Sequence, residues 1–128
     1  MGAPVVFVSR LRIVDGRRPA FVEAFGSVIE AIDHEKPRTA LYAAYLDATG
    51  ATVQIVHAFS DADAMAVHFE GSEERTQSVS QLVTLDGFSV YGPAPSDAID
   101  QLRREAAATG SSLDLLVDPL GGFIRAPA

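Results

Sequence analysis

Three side chains in this sequence have the right chemistry for moving a proton: His57, His68 and Tyr45. Imidazole titrates near neutral pH and can accept a proton from a bound molecule, and a phenol can donate a hydrogen bond to the anion left behind. His57 lies in TVQIVHAFS, where strand alternation gives it the same face as Val53, Ile55 and Phe59. If the preceding TALYAAYLDATG turns back so that Asp47 pairs with Ala51, then Tyr45 and Leu41 share that face; a register one residue longer substitutes Tyr42. A histidine and a tyrosine on one apolar wall make an acid–base pair. The alternative is a core histidine satisfied by a backbone or tyrosine hydrogen bond. His68 lies in ADAMAVHF, where Ala62, Met65, Ala66 and Phe69 form the apolar stripe of a helix and His68 sits on its shoulder. From the shoulder a side chain reaches either the rim of a pocket or solvent, and both readings stand.

The elements that position these residues follow from periodicity. VVFVSRLRIV, rich in β-branched residues, reads as a first strand. In GRRPAFVEAFGSVIEAIDHEKP, Phe21, Phe25, Val28, Ile29 and Ile32 recur at helical spacing, and His34 and Pro37 end the helix. Two strands joined at DATG follow, with Gly50 suited to the left-handed position of a hairpin loop. Ser60, with Asp63 three residues on, approximates a capping box for the helix carrying His68. A second helical piece begins at Ser72, with Val79 and Leu82 as its apolar positions, and a last strand, GFSVYG at 87–92, stops at PAP.

The order β-α-β-β-α-β predicts an α+β, ferredoxin-like βαββαβ domain over residues 1–94, with helices on one face of a four-stranded antiparallel sheet. Residues 95–128 read as an extension packed on the same domain or on a dimer partner. It contains a helix, SDAIDQLRREAAATG, and a short strand, LDLLV. Such a sheet has a second face, and on the strand at 52–60 that face also carries apolar groups, Val56 and Ala58. A second copy of the same sheet is the simplest cover, which predicts a homodimer through the open face.

Composition narrows the function classes. At 128 residues and 48% hydrophobic, the chain can bury a core of its own. A formal net charge of −7 argues against nucleic acid or an anionic membrane as partner, since those surfaces recruit basic patches. The absence of cysteine removes disulfides, thiolate metal sites and cysteine nucleophiles. No apolar run approaches the roughly 20 residues of a membrane span, and no secretory pattern opens the sequence, so a cytoplasmic protein is expected. His57, His68 and Asp61 lack the adjacent-turn spacing of a ligand pair, so no metal is expected. Phosphate loops, dinucleotide fingerprints and nucleophile elbows are absent from the sequence.

The segment Phe59, Ser60, Asp61, then Ala62 to Val67, then His68 resembles the corresponding stretch of the antibiotic biosynthesis monooxygenase (ABM) family. There an aromatic, usually Trp, at the end of the third strand leads through an acidic helix cap and an Ala-rich turn to a histidine in the second helix. The resemblance extends over residues 4 to about 92. It implies two ferredoxin-like sheets forming a dimeric α/β barrel, and a ligand pocket between each sheet and its helices. It further implies cofactor-independent oxygenation of aromatic polyketides or quinols. Phe59 replaces the usual Trp, and the heme-degrading branch relies on an Asn where this sequence has none, which argues against heme degradation.

On that basis the expected activity is a cofactor-independent monooxygenase for a small phenol, quinol or polyketide-like aromatic. His68 or His57 would be the base, Tyr45 the donor, and Phe59, Phe21, Phe25 and Met65 the pocket walls. Those four apolar residues serve equally as plain core. The alternatives are a non-catalytic small-molecule-binding or regulatory dimer on the same fold, and an isomerase or cyclase that uses the same base without oxygen.

Overall fold

The computed structural model describes residues 3–125. β1 (Val5–Ile13) alternates strictly at its start, so Val5, Phe7 and Ser9 are buried on one face. α1 (Arg18–Glu35) begins with Pro19 in its first turn, where a missing N–H costs nothing. Its Phe21, Phe25, Val28 and Ile32 face the sheet, while Ile29, one residue round the helix, is 39% exposed and leaves the expected stripe. β2 (Thr39–Leu46) and β3 (Thr52–Phe59) form an antiparallel hairpin, then come α2 (Ala62–Phe69), α3 (Ser72–Gln77), β4 (Val83–Tyr91), α4 (Ser96–Thr109) and β5 (Ser112–Leu116).

The strands lie in one sheet in the order β2-β3-β1-β4-β5. β1 through β4 pair antiparallel, but β5 joins β4 in parallel, so the sheet is five-stranded and mixed rather than four-stranded and antiparallel. The reason is topological: a parallel neighbour needs a crossover, and α4 supplies it. Ala98, Leu102 and Ala106 of α4 enter the same core cluster as Val5, Phe7, Phe59, Phe88 and Val90. A second cluster joins α1 to Ile13, Val53, Ile55, Val79 and Leu82. All of these strand residues share the face on which the helices pack.

β4 starts at Val83, four residues before the expected 87. A register shift opposite Arg10 and Leu11 breaks its alternation: Val83 and Leu85 pair with Ile13 and Leu11, whereas Phe88 pairs with Ser9. Gly87 accommodates this bulge at φ 149°, and a Cβ there would lie 2.8 Å from Nη2 of Arg10 and 2.6 Å from Oγ of Ser112. Among the described residues no helix is long and apolar enough to cross a membrane.

Candidate functional site

The hairpin register decides which tyrosine meets His57. Asp47 N–H donates to the carbonyl of Thr52, and Oδ1 of Asp47 accepts from Oγ1 of Thr49 and from the amides of Ala51 and Thr52, so the loop is one residue longer than Asp47 opposite Ala51 requires. Tyr42 therefore pairs with His57, and Tyr45 pairs with Gln54 on the opposite face, where it is 61% exposed. Placement of Tyr45 beside His57 is thus corrected to Tyr42, because a one-residue shift exchanges the faces of a strand.

His57 is buried. Its Nδ1 lies 3.0 Å from the carbonyl oxygen of Phe7, which can only accept, so the ring is protonated at Nδ1 and Nε2 carries the free lone pair of the neutral form. The Phe7 ring stacks on it at 4.1 Å, and Tyr42 approaches edge-on with centroids 5.0 Å apart.

His68 is brought in by α2. Ser60 was the expected cap, but Asp61 fills that role: its Oδ1 accepts from the Ala64 amide at 2.8 Å and from Arg38 Nη2 at 3.1 Å. With that start, the buried face is Ala64, Met65 and His68, while Ala66 faces solvent. His68 is therefore central to the buried face rather than on its shoulder. Its Nδ1 lies 2.7 Å from Oγ1 of Thr39, and its ring centroid is 5.4 Å from that of His57 and 5.7 Å from that of Tyr42.

These rings border a cavity of about 460 Å³ between the sheet and the helices. Phe7, Phe25, Phe69, Phe88, Ile55 and Leu102 give it apolar walls, and Ser72, Arg75, Gln101 and Glu105 give it polar ones. Of the residues expected from sequence, His57, His68 and Phe25 line it. Phe21, Phe59 and Met65 are core side chains behind the wall, at 3%, 0% and 0% exposure. Sequence reasoning passed over Phe7, although it sits two residues from Val5 in a strict alternation. It also passed over Arg75, Gln101 and Glu105, which no local pattern distinguishes from surface residues.

Burial sets the protonation states. Desolvation pushes the His57 imidazole down to about 4, against the carbonyls of Phe7 and Ile55, which favour the ring N–H. His68 is pushed down to about 3, first by burial and then by His57, Arg75 and Lys36. Burial raises the Tyr42 phenol to about 12, against the pull of Arg75. At neutral pH the cluster holds two uncharged imidazoles and one protonated phenol. Arg75 donates to the carbonyls of Glu70, at 3.1 Å, and His68, closing the C-terminal end of α2. Among the described residues no group of three or more His, Cys, Asp or Glu side chains is placed to hold a metal ion.

No family model matches the sequence, and no curated protein matches it either. Solved structures do. MupZ from Pseudomonas fluorescens is 19% identical with a TM-score of 0.69, over 95% of this chain and 91% of that one. SnoaB from Streptomyces nogalater, described as a cofactor-independent oxygenase, is 15% identical with a TM-score of 0.60, over 70% of this chain and 91% of that one. A protein of Deinococcus radiodurans, provisionally described as an antibiotic biosynthesis monooxygenase, is 18% identical with a TM-score of 0.57, over 68% and 89%. The chain has the fold of the antibiotic biosynthesis monooxygenase structures, the family that its segment from Phe59 to His68 resembles.

Proposed function

We propose that this chain is a cofactor-independent monooxygenase acting on a small aromatic substrate, a phenol, quinol or polyketide-like ring system. The observation that carries the reading is the convergence of His57, His68 and Tyr42 on one wall of a cavity otherwise lined by aromatic and aliphatic side chains. Oxygenation of an electron-rich ring needs little from the protein beyond a base, a donor for the resulting anion and the exclusion of water. His57 is the base, since Phe7 fixes its tautomer with the lone pair on Nε2. Tyr42, kept protonated by burial, donates to the substrate oxygen. His68, tied to Thr39, holds the second imidazole beside it.

The deprotonated substrate then gives its electrons to O₂. For an anthrone-like ring, CH₂ and O₂ become C=O and H₂O, so the substrate supplies all four electrons and no external reductant enters. A lone imidazolium is disfavoured in this cavity, and the substrate anion formed beside it offsets part of that cost. SnoaB's description as a cofactor-independent oxygenase on the same fold supports the reading. We further propose a soluble, cytoplasmic homodimer formed through the outer face of the sheet, where Val6, Val8, Leu41, Tyr45, Val56 and Tyr91 lie.

An oxygen electrode tests the activity with a panel of quinols and anthrone-like phenols. His57→Ala is expected to lower kcat by about 10²–10⁴-fold, the usual worth of a positioned base. The reading fails if no member of the panel consumes O₂, or if His57→Ala and His68→Ala leave the rate unchanged. A thermal shift by the same compounds without O₂ uptake would instead identify a binding protein.

A further inference from the structure

One cation borders the cavity and has no task in the acid–base chemistry. Arg75 is half-buried, lines the cavity, and uses its guanidinium to donate to two backbone carbonyls, those of His68 and Glu70. A guanidinium has five N–H donors, so these contacts leave several uncommitted. Among the described residues its side chain makes no ion pair; the ion pairs present are Arg10 with Asp114 and Arg38 with Asp61. A partly desolvated cation without a carboxylate partner is costly, and the cost is recovered when an anion arrives.

The surrounding charges favour the same conclusion. Arg75 depresses the proton affinity of Tyr42, His57 and His68, so its field reaches the corner where those rings meet. Lys36 at the end of α1 adds a second positive charge near His68, with Nζ 2.9 Å from the carbonyl of Val67. From the same end of α1, the exposed Glu35 is the acid that acts on Arg75. The other ionisable group on the wall, Glu105, accepts a hydrogen bond from Gln101, and burial raises its carboxyl pKa, which favours the neutral form. With both imidazoles neutral, the corner is electropositive.

We propose that Arg75 is the anion-holding residue of the cavity, and that its ligand is an acidic aromatic, a phenol bound as phenolate with its oxygen between Arg75 and the hydroxyl of Tyr42. This rests on the reading above that the cavity takes an aromatic hydroxyl compound, and it explains how a weak base such as His57 suffices: the field of Arg75 raises the acidity constant of the bound phenol, so its proton is given up more readily.

The test reads ligand ionisation and not turnover. 4-Nitrophenol absorbs in the visible as its phenolate and much less so as the neutral phenol, so titrating it with protein across pH gives the acidity of the bound form directly. In the wild-type protein the bound probe is expected to ionise about 1–2 pH units below the free one, the usual effect of a close opposite charge. Arg75→Gln should abolish the shift and weaken phenolate binding tenfold or more, while the affinity for neutral nitrobenzene stays the same. Arg75→Lys should keep part of the shift. The lysine variant and the nitrobenzene control separate loss of charge from loss of the α2 contact. The proposal is overturned if wild-type protein binds the probe as the neutral phenol or not at all, or if the bound acidity is the same in Arg75→Gln. An ionised probe in a protein that consumes no O₂ would sink the monooxygenase reading and leave Arg75 in its role.

Discussion

His57 concentrates the chemistry of this protein in one side chain. Its Nδ1 is tied to the Phe7 carbonyl, its ring is stacked on that of Phe7, and it is neutral because burial makes the imidazolium expensive. That expense has a thermodynamic consequence. The folded protein holds His57 at about 4, whereas the unfolded chain protonates it near the ordinary imidazole value of 6.5, so between these values the unfolded state binds more protons. Stability is therefore full above about pH 6.5 and falls as pH drops toward 4. The shift corresponds to roughly 3–4 kcal/mol at about 1.4 kcal/mol per pH unit, and His68 extends the loss to lower pH. Thermal melts at a series of pH values should show a steep fall through this window in the wild type. His57→Phe, which keeps the ring stack, should flatten it. An equal slope in the variant would mean that other groups control the acid limb.

α2 shows how much a helix boundary matters to a site. Both Ser60 and Asp61 are chemically able to cap it, but the carboxylate of Asp61 accepts from Ala64 N–H and also holds Arg38. The one-residue difference leaves Ala64, Met65 and His68 inward, which delivers His68 to Thr39 and the cavity. Asp61→Ala is expected to cost about 1 kcal/mol in urea denaturation, and Ser60→Ala should stay within about 0.5 kcal/mol of wild type. The reverse ranking would move the cap back to Ser60. The apolar-stripe reading of ADAMAVHF failed for a related reason: it counted only apolar side chains, and the buried face has a histidine at its centre.

For the whole molecule, the helices cover one face of the sheet, while on the other the tail residues 118–122 border a hollow with Val6 and Tyr91. Leu41, Tyr45 and Tyr91 on that outer face are 41%, 61% and 40% exposed. These exposed apolar side chains are the ground for the proposed dimer. A Tyr45→Glu substitution places a charge there without touching the cavity. It should convert a dimer into a monomer by light scattering coupled to size exclusion, with unchanged far-ultraviolet circular dichroism. A wild-type protein that is monomeric at tens of micromolar would overturn the proposed dimer.

Local periodicity was enough to locate the first strand, α1, the β2–β3 hairpin and α2, because each depends on neighbours within one or two turns of chain. It could also find His57 and His68, since their residue types carry the chemistry wherever they sit. Registers and closures are long-range. The choice of Tyr42 over Tyr45 rests on one extra residue in the loop after Asp47, and the parallel seat of β5 rests on the crossover through α4. Arg75 and Glu105 have no distinguishing local pattern, and they border the cavity only because α3 and α4 are folded over the sheet. Alternation and spacing thus determined the elements and the candidate histidines, while tertiary packing alone decided which side chains meet, because faces are exchanged by a single residue of register and cavities exist only between elements distant in sequence.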